Sequence, residues 1–216
     1  MTFYLNESNE RKIMNQYHKI QTVFLRDPET KFKTLLDGQF AKPEFEYLAD
    51  NQWVFTEKVD GTNIRVMYDE EGNVSFAGKT DAAQIPPMLL TALTCLFPNK
   101  LLNNACLYGE GYGNKIQKVG SNYRNDNSFV LFDVKVGDIW LERSNVEDIA
   151  KQLQCEVVPI IGSGTLREAI QLVKEGFNSQ WGNFLAEGIV ARPVVELQNR
   201  MGERVITKIK HKDFAK

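Results

Sequence analysis

The chain has 216 residues, with 26 Lys and Arg against 28 Asp and Glu, for a formal net charge of −2. That balance supplies no global basic field, so any nucleic acid must be held by a local basic patch. Hydrophobic content of 43% and charged content of 25% describe a soluble globular protein, sized for one large domain or two small lobes around a cleft. No segment approaches the ~20 consecutive apolar residues of a membrane span. The polar N-terminus lacks the apolar core of a signal peptide, so the expected compartment is the cytoplasm, or a host cytoplasm. Cys95, Cys106 and Cys155 include no close pair. They fit neither a disulfide framework nor a zinc site and are expected to be buried fillers. His18 and His211, the only histidines, lie far apart, which disfavours a histidine metal cluster or a Ser-His-Asp triad.

In chain order, residues 1–50 mix polar, helix-like sequence with one extended apolar piece, Ile20–Leu25. Pro43–Leu48 reads as a short helix with proline in its first turn. Trp53-Val54-Phe55-Thr56 is aromatic and β-branched, a strand. Asn63–Tyr68 and Val74–Phe76 flank a glycine-containing hairpin loop, Asp69–Asn73. Pro86–Phe97 places Leu89, Leu93, Leu96 and Phe97 at helical spacing. Ala105–Gly109 and Phe129–Val134 read as strands, and Val134–Leu141 as a hairpin turning at Gly137-Asp138. Two helices follow, each opening with a capping box, Ser144 with Glu147 and Thr165 with Glu168. Val146, Ile149, Ala150 and Leu153 make one buried face; Leu166, Ala169, Ile170 and Val173 make the other; Gly176 closes the second helix. The last strands are Gly188–Arg192 and Arg204–Lys210. Strands joined by short turns predict an α+β fold of largely antiparallel sheets. No dinucleotide-binding or P-loop glycine string is present.

Chemistry gathers at five places. Lys58, in Glu57-Lys58-Val59-Asp60-Gly61-Thr62-Asn63, stands at a strand end before a turn. It is therefore held on a fixed stem, as a nucleophilic amine must be; the plain alternative is a surface lysine beside a hairpin. Glu110, between Gly109 and Gly111, sits where a ligand can approach the backbone, or is a turn glutamate. Phe132-Asp133 ends a strand; the ring is either core or a platform for a base. Glu187 precedes the apolar strand Gly188–Arg192, suited to a divalent cation or simply solvated. Lys208 and Lys210 share one strand face, ~6.6 Å apart, opposite Val205, Thr207 and Ile209. They repel unless an anion lies between them; otherwise they are the solvated lysines of an edge strand.

Taken together and in order, Lys58–Gly61, Tyr108-Gly109-Glu110-Gly111, Phe129–Asp133, Glu187–Val190 and Lys208–Lys210 resemble the five motifs of the covalent nucleotidyltransferases. These are the ATP-dependent DNA and RNA ligases and the mRNA capping enzymes. The run Glu57–Asn63 is most similar to the RNA ligase 2-like branch, and the likeness spans roughly residues 53–210. The resemblance implies a nucleotidyltransferase, ATP-grasp-like fold, a single adenylyltransferase domain over residues 1–216 with 1–50 packed on it, and the nucleotide in the central cleft. It implies an ATP-dependent polynucleotide ligase, an RNA ligase in the first instance, joining 3′-hydroxyl to 5′-phosphate ends of RNA or DNA. A DNA ligase or a capping-type guanylyltransferase are the alternatives.

The residues carry over one by one. Lys58 would attack the α-phosphate of ATP and become lysyl-AMP, although a lysine of ordinary pKa, ~10.4, is a poor nucleophile at neutral pH. Lys208 and Lys210 would contact the phosphates. Glu110 would bind the ribose hydroxyls, Phe132 would stack on adenine, and Glu57 would help read the adenine edge. Asn63 would position phosphate or metal-bound water. Lys79 falls where the family often carries arginine and keeps the charge without the fork. Glu187 is matched to the acid associated with Mg²⁺ or Mn²⁺. Lys115, Lys118 and Arg124 form a candidate basic loop for the strand, or a solvated charged loop. Most of the superfamily continues into an OB-fold or helical RNA-binding module, so a minimal ligase or an excised catalytic domain is expected, with nucleic acid held in part by a separate domain or chain.

Overall fold

The computed structural model describes residues 16–215; the part of the N-terminal reading that falls on residues 1–15 lies outside them. The described residues carry thirteen strands: β1 (Gln21–Thr22), β2 (Phe24–Arg26), β3 (Leu35–Phe40), β4 (Trp53–Glu57), β5 (Thr62–Tyr68), β6 (Val74–Ala77), β7 (Ala105–Gly113), β8 (Asn127–Val136), β9 (Ile139–Trp140), β10 (Glu156–Val157), β11 (Ile160–Gly164), β12 (Gly188–Pro193) and β13 (Thr207–Lys210). The α-helices are α1 (Pro43–Tyr47), α2 (Pro87–Leu96), α3 (Gly120–Tyr123), α4 (Arg143–Gln152) and α5 (Leu166–Glu175). None is long and apolar enough to cross a membrane. Among the described residues the chain forms two compact units. One takes residues up to His18 and Asp60–Val157, the other Lys19–Val59 and the chain from Val158 onward.

The second unit is built on a five-stranded sheet in the order β1-β13-β12-β4-β11. All its pairings are antiparallel except β1 with β13. Alternation along β4 turns Trp53 and Phe55 inward, where they meet Ile189 and Ala191 of β12, Ile209 of β13 and one face of α5. That face is Leu166, Ala169, Ile170 and Val173, as its helical spacing predicts. The Thr165–Glu168 capping box is formed, and Gly176 ends α5 at φ +82°.

The first unit holds the sheet β10-β8-β7-β5-β6, with β9 on β8. Ile64, Val66 and Tyr68 of β5, Leu107 of β7 and Phe129, Leu131 and Val134 of β8 face α2 and α4 and make its core. Period-2 alternation then commits Asn63 and Arg65 of β5, and their register partners Glu110 and Tyr108 of β7, to the opposite face.

The expected α+β architecture with mostly antiparallel strands is present, with five differences in detail. The strand expected to stop at Gly109 runs on to Gly113, so Glu110 is a strand residue and not a turn residue. Gly109 is there for space: a Cβ would overlap the Phe129 ring and the Val130 carbonyl. Ser144 does not cap α4; the helix begins two residues earlier than that box implies, its N-cap is Glu142, and Glu147 pairs with Arg143 at 2.6 Å. The final strand begins at Thr207 rather than Arg204, whose buried side chain turns to Glu196 at 2.7 Å. β3, β10 and β11 have no counterpart among the predicted strands; β11 carries two glycines and a register shift beside β4, which hides it from pattern reading. Cys106 is buried as expected, whereas Cys95 is exposed.

Candidate functional site

Sheet order decides which chemical groups meet in the second unit. β12 is antiparallel to both neighbours, β4 and β13. Its beginning therefore lies level with the ends of both. Glu187 immediately precedes β12, Lys58 immediately follows β4, and Lys210 ends β13. The backbone locks this level. Lys58 N–H donates to the Gly188 carbonyl at 2.9 Å, and His211 N–H donates to the Glu187 carbonyl at 2.9 Å. Gly188 adopts φ +151° in direct contact with the Ile209 carbonyl, a place no side chain fits.

The side chains converge accordingly. Lys58 Nζ donates to Glu187 Oε2 at 2.7 Å. Lys210 Nζ pairs with the other oxygen, Oε1, at 2.6 Å. Glu187 is only 10% exposed and the two lysines 21% and 20%, so these charges interact through little solvent. Burial works against ionisation of Glu187, but the Lys58 and Lys210 ammonium groups overcome it and hold its carboxyl below the usual carboxylate range. The pair expected to share an anion is Lys208 and Lys210; the carboxylate that the protein supplies lies instead between Lys58 and Lys210. Lys208 shares the Lys210 face of β13, as alternation predicts, with Thr207 and Ile209 buried on the other.

Glu57, one residue before Lys58, points the opposite way and is 1% exposed. Its Oε2 accepts from the Gln180 backbone N–H at 2.8 Å, and its Oε1 takes no hydrogen bond. Burial pushes its carboxyl up, against the lowering effect of the Gln180 N–H and of the neighbouring Ser179 hydroxyl. Gln180 was invisible in the sequence because its backbone, not its side chain, makes the contact.

The first unit gathers the other predicted residues. Asn63 and Glu110 are direct partners across β5 and β7, and the Asn63 Oδ1 atom is buried without a partner. Phe132 is half-buried and stays outside the apolar core that takes Phe129, Leu131 and Val134. Its ring meets Tyr17 edge-on, centroids 5.1 Å apart, and the Tyr17 hydroxyl donates to Asp133 Oδ2 at 2.8 Å. Tyr17 carried no motif that could have marked it. Lys79 is exposed in the turn after β6. The turn Asp60-Gly61 is tied to the segment 114–124: Asp60 N–H donates to the Tyr123 hydroxyl at 3.1 Å, and Gln117 Nε2 to the Gly61 carbonyl at 3.0 Å. In that segment Lys115 and Lys118 are exposed. Arg124 is paired with Asp126 at 2.5 Å and set over the Tyr112 ring.

The described residues contain no cluster of three or more His, Cys, Asp and Glu able to hold a metal alone. Glu187 is the acid within the lysine cluster. A single carboxylate fits a magnesium- or manganese-type ion that keeps several waters and takes phosphate oxygens, rather than one in a protein cage.

The sequence profile of the RNA ligase family matches residues 51–210. No curated protein matches. Among solved structures, the Naegleria gruberi RNA ligase with PPi superposes with a TM-score of 0.62 at 18% identity, covering 91% of this chain and 59% of that one. A point mutant of the same enzyme with ATP and Mn gives 0.61 at 18% identity, covering 93% and 59%. A second mutant with ATP and Mn gives 0.55 at 19%, covering 78% and 52%. These likenesses establish a shared fold, and the chain spans less than two thirds of the length of the enzymes it superposes on. The family match takes in most of the chain and every one of the five expected motifs, from Lys58 to Lys210: the protein belongs to the RNA ligase family.

Proposed function

We propose that this chain is an ATP-dependent RNA ligase that works through a covalent lysyl-AMP at Lys58. The observation that carries the reading is the Lys58–Glu187–Lys210 convergence, 2.7 and 2.6 Å across one carboxylate, at the ends of three adjacent strands. An amine fixed on strand backbone, beside a second cation and a single acid, is an arrangement for phosphoryl chemistry.

Without nucleotide, Glu187 pairs with Lys58 at 2.7 Å and holds it in place. A triphosphate entering the cluster supplies competing anionic oxygens for Lys210 and Lys208. Once its ammonium proton has passed to solvent water, Lys58 Nζ attacks the α-phosphorus: an N–P bond forms, the P–O bond to the β-phosphate breaks, and pyrophosphate leaves. An oxygen of an RNA 5′-phosphate then attacks the same phosphorus and the N–P bond breaks, which returns the lysine. Finally a 3′-hydroxyl attacks the 5′-phosphate, losing its proton, and AMP leaves. Glu187 would hold the divalent ion, whose positive charge stabilises the charge developing on phosphate oxygens. Glu110 is assigned the ribose hydroxyls and Phe132 the base face. Glu57 Oε1, buried and without a donor, suits an exocyclic amine at the adenine edge.

Incubation with α-labelled ATP or GTP and magnesium, beside Lys58→Ala, tests this. The expected result is a covalent label from ATP alone, absent in the mutant and discharged by pyrophosphate. A label from GTP alone would move the chain to guanylyl transfer, and no label in a folded protein would refute the reading. Sealing of nicks with RNA or DNA at the 3′ side then decides the strand, since the local difference is one 2′-hydroxyl.

A further inference from the structure

One charged side chain of β5 goes into the interior, and none of the chemistry above uses it. Arg65 has 0% side-chain exposure. A buried guanidinium is costly unless it is paired and hydrogen-bonded, and an apolar residue would fill the same strand position without that cost. Its bonds show what it grips. Arg65 Nε donates to the Gly78 carbonyl at 2.9 Å. Arg65 Nη2 donates to Asp81 Oδ1 at 2.7 Å. Nη1 is buried with no protein partner, so the side chain is not placed for the fullest pairing of its donors.

Both contacts fall on one short segment, Gly78-Lys79-Thr80-Asp81. It leaves β6 directly after Ala77, the register partner of Arg65, and continues into a turn in which Ala83 N–H meets the Thr80 carbonyl at 3.1 Å. One rigid fork therefore ties both ends of the segment, with Lys79 between the ties. A lysine is a point charge on a flexible stem and has no directional fork of its own. Its aim must come from the backbone that carries it. We infer that Arg65, together with Asp81, is a positioning residue that sets the Lys79 ammonium for the phosphates of ATP; the inference rests on the ligase reading of this site.

The test compares wild type, Asp81→Asn, Lys79→Ala and the double variant in single-turnover transfer of AMP from ATP to the protein, over a range of ATP concentrations. The Asp81 side chain is 42% exposed, and asparagine keeps an Oδ1 acceptor for Arg65 while removing the charge; a melting curve separates any loss of folding from the kinetic effect. Asp81→Asn is expected to lower the second-order rate constant with ATP at least about tenfold, toward the ~100-fold that a ~1 Å misplacement can cost. The double variant is expected to be no slower than Lys79→Ala, because Asp81 acts only through Lys79. Arg65→Lys keeps the charge and loses the fork, and is expected to match Asp81→Asn. Losses that multiply in the double variant, or wild-type kinetics for Asp81→Asn, would overturn the inference while leaving the ligase reading intact. A wild type that takes no AMP from ATP would overturn both.

Discussion

At the residue scale, two glutamates of one sheet are driven in opposite directions by their surroundings. Glu187 is desolvated, but two ammonium groups outweigh that and keep its carboxyl below the usual range. Glu57 is desolvated with only hydrogen bonds to offset it, and its carboxyl is raised. The signs follow by linkage. A depressed carboxyl adds stability that is complete above the unfolded-state pKa and is lost as pH falls through the folded-state value. A raised carboxyl does the reverse: its contribution is present below the unfolded-state pKa and is lost as pH rises through the folded-state value. Glu187→Gln is therefore expected to flatten the acid side of the melting temperature against pH. Glu57→Gln should raise the melting temperature near neutrality, where the buried charge is removed. Thermal melts of the two variants over about pH 4 to 8 check both signs; parallel curves for wild type and Glu57→Gln would show that the buried charge has no such cost. Glu187→Gln also removes the carboxylate that holds Lys58 Nζ at 2.7 Å.

At the element scale, most of the frame was legible because its signals are local. Apolar residues three and four apart mark α2 and the buried faces of α4 and α5, and alternation separates Lys208 and Lys210 from Thr207 and Ile209. What stayed hidden depends on contacts distant in sequence. β7 continues through Gly109–Gly113 because β5 and β8 pair with it on both sides, with Gly109 leaving room for Phe129, and β11 exists because β4 offers it an edge. Likewise Lys58, Glu110, Glu187 and Lys210 stood out in the sequence, whereas Arg65 and Gln180 did not, since only the folded partners give them meaning. Caps show the difference clearly. Thr165 accepts from the Glu168 N–H at 3.1 Å, and Glu168 accepts from the Thr165 N–H at 2.7 Å. Ser144 matches the same pattern but lies inside the first turn of α4. Thr165→Ala is expected to cost about 1 kcal/mol, or about 2–4 °C in a chain of this size. Ser144→Ala should change the melting temperature by less than about 2 °C, an ordinary surface substitution. Equal losses would mean that the α4 start is misassigned.

At the scale of the whole molecule, a net charge of −2 provides no long-range attraction for an RNA strand. Affinity must then come from a few cations, and it must carry their number in its salt dependence. Each phosphate neutralised on a single strand contributes about −0.7 to the slope of log affinity against log salt. Lys115 and Lys118 are exposed on the segment whose Gln117 and Tyr123 bind the Gly61 carbonyl and the Asp60 N–H. Arg124, on the same segment, is paired with Asp126. If both meet phosphates, Lys115→Ala/Lys118→Ala should make the slope shallower by about 1.4 and weaken binding at low salt, with the two proteins converging as salt rises. Transfer of AMP from ATP to Lys58 should be unchanged in that variant, since neither lysine contributes to the Lys58–Glu187–Lys210 cluster. Titration of a labelled 5′-phosphorylated RNA at several salt concentrations measures the slope. An unaltered slope would exclude this segment from the RNA path and leave the strand to other cations.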